Sequence, residues 1–244
     1  MRPAFQPFGD SAVRVVCGAD ASADTLRRIR AFCAALAETG IEGVREWAPG
    51  FLTVTVFYLP QRISYQVLCE RLREALARSK GAPLPKSKRL TLPVCYGGTC
   101  GPDLDFLAQH ARLTRDEVVA LHIATTYRVH LIGFTPGFPY LTGLNPRLAA
   151  PRLERPRASV PAGSVGIAGE QTGVYPQETP GGWRIIGRTP VKLFDLRRAP
   201  PAPVAAGDYL MFRAIAESEY LRIEAQVASG EYKLELAAHE ESDE

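Results

Sequence analysis

Val160-Pro-Ala-Gly-Ser-Val-Gly-Ile-Ala-Gly-Glu-Gln-Thr-Gly-Val-Tyr-Pro-Gln-Glu-Thr-Pro-Gly-Gly-Trp-Arg-Ile-Ile-Gly-Arg-Thr-Pro190 is built of short β-rich runs, each stopped within a few residues by glycine or proline. Proline fixes φ and removes a donor, so no helix of several turns fits between these stops. The same punctuation begins upstream, at Gly133-Phe-Thr-Pro-Gly-Phe-Pro-Tyr140. From Gly133 to Pro190 there are ten glycines and nine prolines in 58 residues, against eleven of each in the other 186. Strand-like runs stand at Tyr127–Ile132, Ser164–Ala168, Trp183–Ile186 and Tyr209–Ile215. Their irregular spacing predicts a closed or sandwiched β structure rather than βαβ repetition.

The chain ahead of this region has a different rhythm. Ala12–Cys17 reads as a strand. Leu26, Ile29, Cys33 and Leu36 recur at helical steps, with Gly40 as the stop. Val44–Ala48 and Phe51–Leu59 read as two strands around Pro49-Gly50. A second helix begins after Ser64 and places Leu68, Leu72 and Leu76 on one face. With Arg89–Tyr96 as a last strand, the order fits a ferredoxin-like split βαβ unit. Ser79–Lys88, with two prolines and three lysines, reads as a linker. Thr114-Arg-Asp-Glu117 is a capping box that starts a short helix over Val118–Ala124. The predicted class is therefore α+β: a small α/β domain over 1–85, a β domain over 86–225 and an acidic tail over 226–244. From Glu217 to Glu244 nine acidic residues face two basic ones, and the end is expected to be frayed and solvated.

Composition narrows the function. The 244 residues are 46% hydrophobic and 23% charged, with a formal charge of +3. That is ordinary for a globular protein and too mild for an electrostatic footprint on nucleic acid. The longest apolar runs fall well short of the roughly 20 residues of a membrane span, and the start lacks the apolar core of an export signal. The five cysteines are odd in number and scattered, as expected of free thiols in the cytoplasm. Cys95 and Cys100 have no second pair or nearby histidine to complete a metal set.

Rigid loops beside aromatic residues favour a ligand site, although a barrel rich in tight turns would show the same composition. On the ligand reading, Phe134, Pro136, Gly137, Phe138 and Tyr140 form one wall. Gln171, Thr172 and Tyr175 form a second, with Pro180, Gly181, Gly182 and Trp183. Consecutive N–H groups at Gly181-Gly182 could form an anion nest. His122 is a candidate acid or base and Arg188 a candidate bidentate grip on a carboxylate, the two catalytic assignments. The alternatives stay open: a lone histidine as a structural hydrogen-bonder, and an arginine capping a loop carbonyl. No P-loop, nucleophile elbow or carboxylate pair is present. The window offers binding groups without a complete catalytic set.

Several strings together resemble a known family. They include Gly9-Asp-Ser-Ala12, Leu92-Pro-Val-Cys-Tyr96, Gly101-Pro-Asp-Leu104, Leu121-His122 and Gly133–Leu141. Val160–Gly169, Gln171–Pro176, Pro180–Pro190, Leu193-Phe-Asp195 and Gly207-Asp208 follow in order. The chain is similar to the family of the 5-oxoprolinase B subunit, the sporulation kinase inhibitor KipI and allophanate hydrolase subunit 1. The resemblance implies a small α/β domain followed by a cyclophilin-like β-barrel. It implies a cytoplasmic hetero-oligomer with the C subunit of 5-oxoprolinase, itself cyclophilin-like, and the A subunit of the same enzyme. That assembly would open the lactam of 5-oxo-L-proline to L-glutamate with ATP hydrolysis. ATP would be used by the assembly, with no cofactor held by this chain. The same resemblance leaves two alternatives, an inhibitor of a sensor histidine kinase and a protein related to urea carboxylase.

Overall fold

The computed structural model describes residues 4–239, which divide at Lys86/Ser87 into two compact units. In the first, strands β1 (Ala4–Pro7) and β2 (Ala12–Val16) form a hairpin that leads into helix α1 (Ala23–Thr39). The Ser22 hydroxyl accepts from the Thr25 amide at the start of α1, and Gly40 ends it in the left-handed region at φ 52°. Strands β3 (Val44–Pro49) and β4 (Thr53–Tyr58) follow, and then helix α2 (Tyr65–Arg78), capped by Ser64. Along β4 every second residue is buried, the period-2 signature of a sheet with one covered face. Val13, Val15, Val54 and Val56 of that face pack against Ile29, Phe32, Leu68 and Leu72 of the helices.

The four-stranded sheet has the order β1-β2-β4-β3, with every pair antiparallel. This corrects the ferredoxin-like expectation. The place beside β2 that the last strand of a split βαβ unit would take is filled by β1, from the other end of the chain. Arg89–Tyr96 belongs to strand β5 (Ser87–Tyr96), which pairs in the second unit, with Tyr209–Ala214. Hydrogen bonds to that partner take up its edge there.

The second unit continues from β5 through helices α3 (Leu104–Ala111) and α4 (Arg115–Ile123). The expected capping box is present: Thr114 accepts from the Glu117 amide and Glu117 accepts from the Thr114 amide. Strands β6 (Tyr127–Ile132), β7 (Pro139–Thr142), β8 (Arg157–Val160), β9 (Ser164–Ala168) and β10 (Gln171–Val174) come next. Then follow β11 (Thr179–Gly181), β12 (Arg184–Arg188), β13 (Tyr209–Ala214), helix α5 (Glu217–Ser229) and β14 (Glu235–His239). Seven strands run β12-β9-β10-β7-β6-β13-β5 and close through β5–β12, where Gly187 faces Tyr96 and Arg188 faces Cys95. Gly187 permits that closure: a Cβ there would stand 2.6 Å from Val94 Cγ1 and 2.9 Å from the Cys95 carbonyl. The barrel is filled by branched and aromatic side chains, among them Leu92, Val129, Leu141, Val165, Ile167 and Phe212. The protein is thus a mixed α/β chain with a closed β-barrel.

The expected acidic tail is corrected as far as His239. Ile223 and Tyr220 of α5 are buried, and Tyr232 and Leu234 pack on the barrel core. Glu235 pairs in register with Thr91 on β5, and Arg213 holds both Glu219 and Glu235 at 3.1 and 3.5 Å. Acidic composition hid apolar spacing and a cationic partner on β13. The last residues of the predicted tail, 240–244, lie outside the described residues. Among the described residues no helix is long and apolar enough to cross a membrane.

Candidate functional site

The Gly/Pro-rich window builds a cleft of about 240 Å³ on the barrel unit. Phe134 and Phe138 come from the β6–β7 turn, Tyr140 from β7 and Tyr175 from the end of β10. Pro180, Gly181, Gly182 and Trp183 come from β11 and the turn into β12, while Arg152 and Pro156 come from the segment before β8. Phe138 is the hub of the walls. It meets Tyr140 at 4.8 Å between ring centroids, Tyr175 at 5.2 Å and Trp183 at 5.4 Å, the last two edge-on.

Chemically the cleft is apolar with one cation. Burial pushes the Tyr140 and Tyr175 phenols up; the Arg152 guanidinium draws Tyr140 back, and a hydrogen bond with the Trp183 backbone followed by Arg152 draws Tyr175 back. Arg152 forms no hydrogen bond or ion pair among the described residues, so its donors are available to a ligand. No carboxylate, histidine or cysteine lines the cleft. This arrangement can bind and orient a small anion, and its lining supplies no general base of the usual kind. A larger hollow of about 470 Å³ lies in the first unit between Arg62, Arg71, Arg78, Glu42 and Glu74. Its charges have mixed sign, and Arg71 is already engaged with Glu74 at 3.1 Å. The aromatic cleft is therefore the candidate site.

The sequence prediction placed four further residues on these walls, and the cleft lining does not include them. Pro136 and Gly137 form the back of the β6–β7 turn; Gly137, at φ 84°, lies against Phe194 and the Leu193 carbonyl. Gln171 pairs with Ala168 on β9, and Thr172 is fully buried. The expected nest is also absent: neither Gly181 nor Gly182 takes a positive φ, because β11 runs extended through Gly181. That glycine is needed for space, since a Cβ would stand 2.9 Å from Cε1 and Cζ of Tyr175 and closer still to its hydroxyl.

The two catalytic candidates lie elsewhere. Arg188 donates from Nε to the Ala162 carbonyl at 2.9 Å, the loop-capping alternative. His122 is fully buried, stacked on Phe212 at 4.5 Å between centroids. Its Nε2 lies 3.0 Å from the Thr172 hydroxyl and its Nδ1 2.8 Å from the Tyr96 hydroxyl. Thr172 spends its one hydroxyl proton on the Gly166 carbonyl at 3.0 Å, so it accepts from Nε2–H. Nδ1 is then the acceptor for the Tyr96 O–H. Every polar atom of the imidazole is used inside the barrel.

Burial lowers the His122 pKa from 6.5 to about 3. The unfolded chain takes up a proton on this residue below about pH 6.5, and the folded chain does so only near pH 3. Unfolding therefore binds a proton in that window. The His122 contribution to stability is complete above pH 6.5 and falls with pH by up to about 1.4 kcal/mol per unit. Urea unfolding at pH 7.5, 6 and 5 should show this slope, and His122→Asn should flatten it.

Two features of the site lay outside sequence reasoning. Arg152 is one of several arginines in the window, and no spacing distinguishes it. Asp103, seen in the sequence only as part of a string, is buried and braces strands that flank the site. Its carboxylate accepts from the Ile185 amide at 2.7 Å and from Arg157 at 2.8 Å, tying α3 to β12 and β8.

Residues 3–204 match the family model described as carboxyltransferase domain, subdomain C and D. The chain is 40% identical over 230 residues to the 5-oxoprolinase B subunit of Bacillus subtilis, covering 90% of this chain and 96% of that protein. Identity to the 5-oxoprolinase B subunit of Escherichia coli O157:H7 is 45% over 170 residues, 69% of this chain and 77% of the relative. The crystal structure of K. lactis urea amidolyase aligns with a TM-score of 0.81 at 20% identity. It covers 97% of this chain and 16% of that one, a likeness of fold alone.

Proposed function

The chain belongs to the carboxyltransferase-domain family of subdomains C and D, and we propose that it works as the B subunit of an ATP-dependent 5-oxoprolinase. In this reading its closed barrel is cyclophilin-like, and the barrel cleft holds 5-oxo-L-proline while the assembly converts it to L-glutamate. The observation that carries the reading is the cleft itself, aromatic on several sides with Arg152 uncommitted at its edge. A small acidic lactam needs a guanidinium for its carboxylate and apolar walls for its ring. At about 240 Å³ the cleft lies below the roughly 300–1,000 Å³ of sites for drug-sized ligands. It is of a size to hold the lactam ring.

The same lining explains why the chain works with partners. Water opens an amide readily only after the carbonyl is activated, here at the expense of ATP. The cleft has no carboxylate or imidazole for that work. The A and C subunits supply it, in a cytoplasmic hetero-oligomer where ATP is available, and this chain holds no cofactor of its own.

Glutamate release by the chain assembled with its A and C subunits tests the proposal. The chain alone should release none. Arg152→Ala in the assembly should raise KM for 5-oxo-L-proline at least about tenfold with little change in kcat. A charge-assisted hydrogen bond is worth about 1.5–3 kcal/mol, and about 1.4 kcal/mol is one decade. Turnover by the isolated chain, or an unchanged KM in Arg152→Ala, would overturn the reading.

A further inference from the structure

We propose that Phe134 is a ring clamp, closing over the lactam ring and giving the cleft its preference for a cyclic substrate. The inference rests on the cleft being the 5-oxo-L-proline site, and it begins from two features of Phe134 that are costly for the fold. The Phe134 backbone lies in the left-handed region at φ 61°, a conformation unfavourable for a bulky side chain. Among the described non-glycine residues only Arg112 shares it, and Arg112 is the C-cap of α3, where that conformation is usual. The Phe134 side chain is also 62% exposed, so the ring regains little by burial. Glycine at this turn would avoid both costs.

The turn is held firmly despite them. The Gly133 amide donates to the Phe138 carbonyl at 3.1 Å, and the Thr135 amide to the Gly133 carbonyl at 2.7 Å. Strain kept in place beside a cleft points to function. The ring geometry indicates which function. Phe134 stands at 85° to Phe138 and 87° to Tyr175, and Phe138 stands at 89° to Tyr175. Three mutually perpendicular rings form the corner of a box, with Phe134 its solvent-exposed face. A rigid five-membered ring packs into such a corner without losing internal rotations. An open chain of the same atoms must give up rotamer freedom to do so.

The test uses the assembled complex and two probes: 5-oxo-L-proline as substrate, and N-acetyl-L-alanine as competitor, which has the same non-hydrogen atoms with one ring bond opened. Phe134→Gly should raise KM for the lactam at least about tenfold and change the inhibition constant of the open-chain competitor less than about twofold. Its melting temperature should stay within a few degrees of wild type, because the backbone relief offsets the lost ring contacts with Phe138 and Tyr175. Phe134→Tyr, which keeps the ring, should recover most of the loss seen in Phe134→Gly. Arg152→Ala should weaken both probes alike. A lowered melting temperature with unchanged KM in Phe134→Gly would show a structural residue and overturn the clamp. Equal weakening of both probes by Phe134→Gly would overturn ring selection. If Phe134→Gly and Arg152→Ala both leave the two probes unaffected, the cleft reading itself fails, and the clamp with it.

Discussion

His122→Ala should lower the melting temperature of the barrel unit by about 6–20 °C and leave KM for 5-oxo-L-proline, per folded molecule, within about twofold. The imidazole joins the Tyr96 hydroxyl to the Thr172 hydroxyl inside the barrel and stacks on Phe212. Its removal leaves the Tyr96 O–H without an acceptor and the Thr172 oxygen without a donor, at about 1–3 kcal/mol for each group left unsatisfied. It also opens a cavity among Tyr127, Phe212 and Thr172, with a cost of about 2–5 kcal/mol for a large-to-small change. The two costs overlap, because a cavity lined by two hydroxyls admits a water that satisfies them, so the combined loss is about 3–5 kcal/mol; at roughly 2–4 °C per kcal/mol for a chain of this size, that gives the stated range. Thermal melts and steady-state kinetics on one preparation decide it. A normal melting temperature with activity reduced a hundredfold would return His122 to catalysis.

His122 also shows where sequence reading ends. Leu121 and Ile123 on either side are only partly buried, so local periodicity does not separate a core histidine from one facing a cleft. The answer depends on Tyr96, Thr172 and Phe212, which come from three other strands. The fate of β5 is a similar case. Arg89–Tyr96 has the pattern of a strand in either unit, and its long-range partners β13 and β12 decide the question. Local signals did better where chemistry forces a conformation. Ser64 and Gly40 bound their helices because an N-cap needs a hydroxyl acceptor and a left-handed stop suits a residue without a Cβ. The barrel strands Tyr127–Ile132 and Ser164–Ala168 stand where the runs between glycines and prolines placed them. The same punctuation located the cleft, since Phe134, Phe138, Tyr140, Tyr175 and Trp183 all line it. Arg152 escaped because its role depends on what it does not touch.

Gly181→Ala should reduce kcat/KM of the assembled complex about a hundredfold, while Gly182→Ala, one residue on, should stay within about threefold of wild type. Neither glycine has a positive φ, so alanine suits both backbones and the contrast is one of space. A Cβ on Gly182 meets Pro156 at 3.6 Å and the Leu153 carbonyl at 3.8 Å, ordinary contact distances. A Cβ on Gly181 stands 2.9 Å from two ring carbons of Tyr175. That ring cannot withdraw, because it is 2% exposed and backed edge-on by Phe138 at 5.2 Å. Either Tyr175 tilts into the cleft or β11 lifts from β8, and in both cases the binding corner loses its shape. A hundredfold corresponds to about 2.7 kcal/mol of transition-state stabilisation, within reach of a displaced wall in so small a site. The barrel core of Leu92, Val129 and Ile167 is separate from this contact, so the melting temperature should fall by only a few degrees. Equal losses in the two variants, or full activity in Gly181→Ala, would mean that the aromatic cleft is not where the substrate is held.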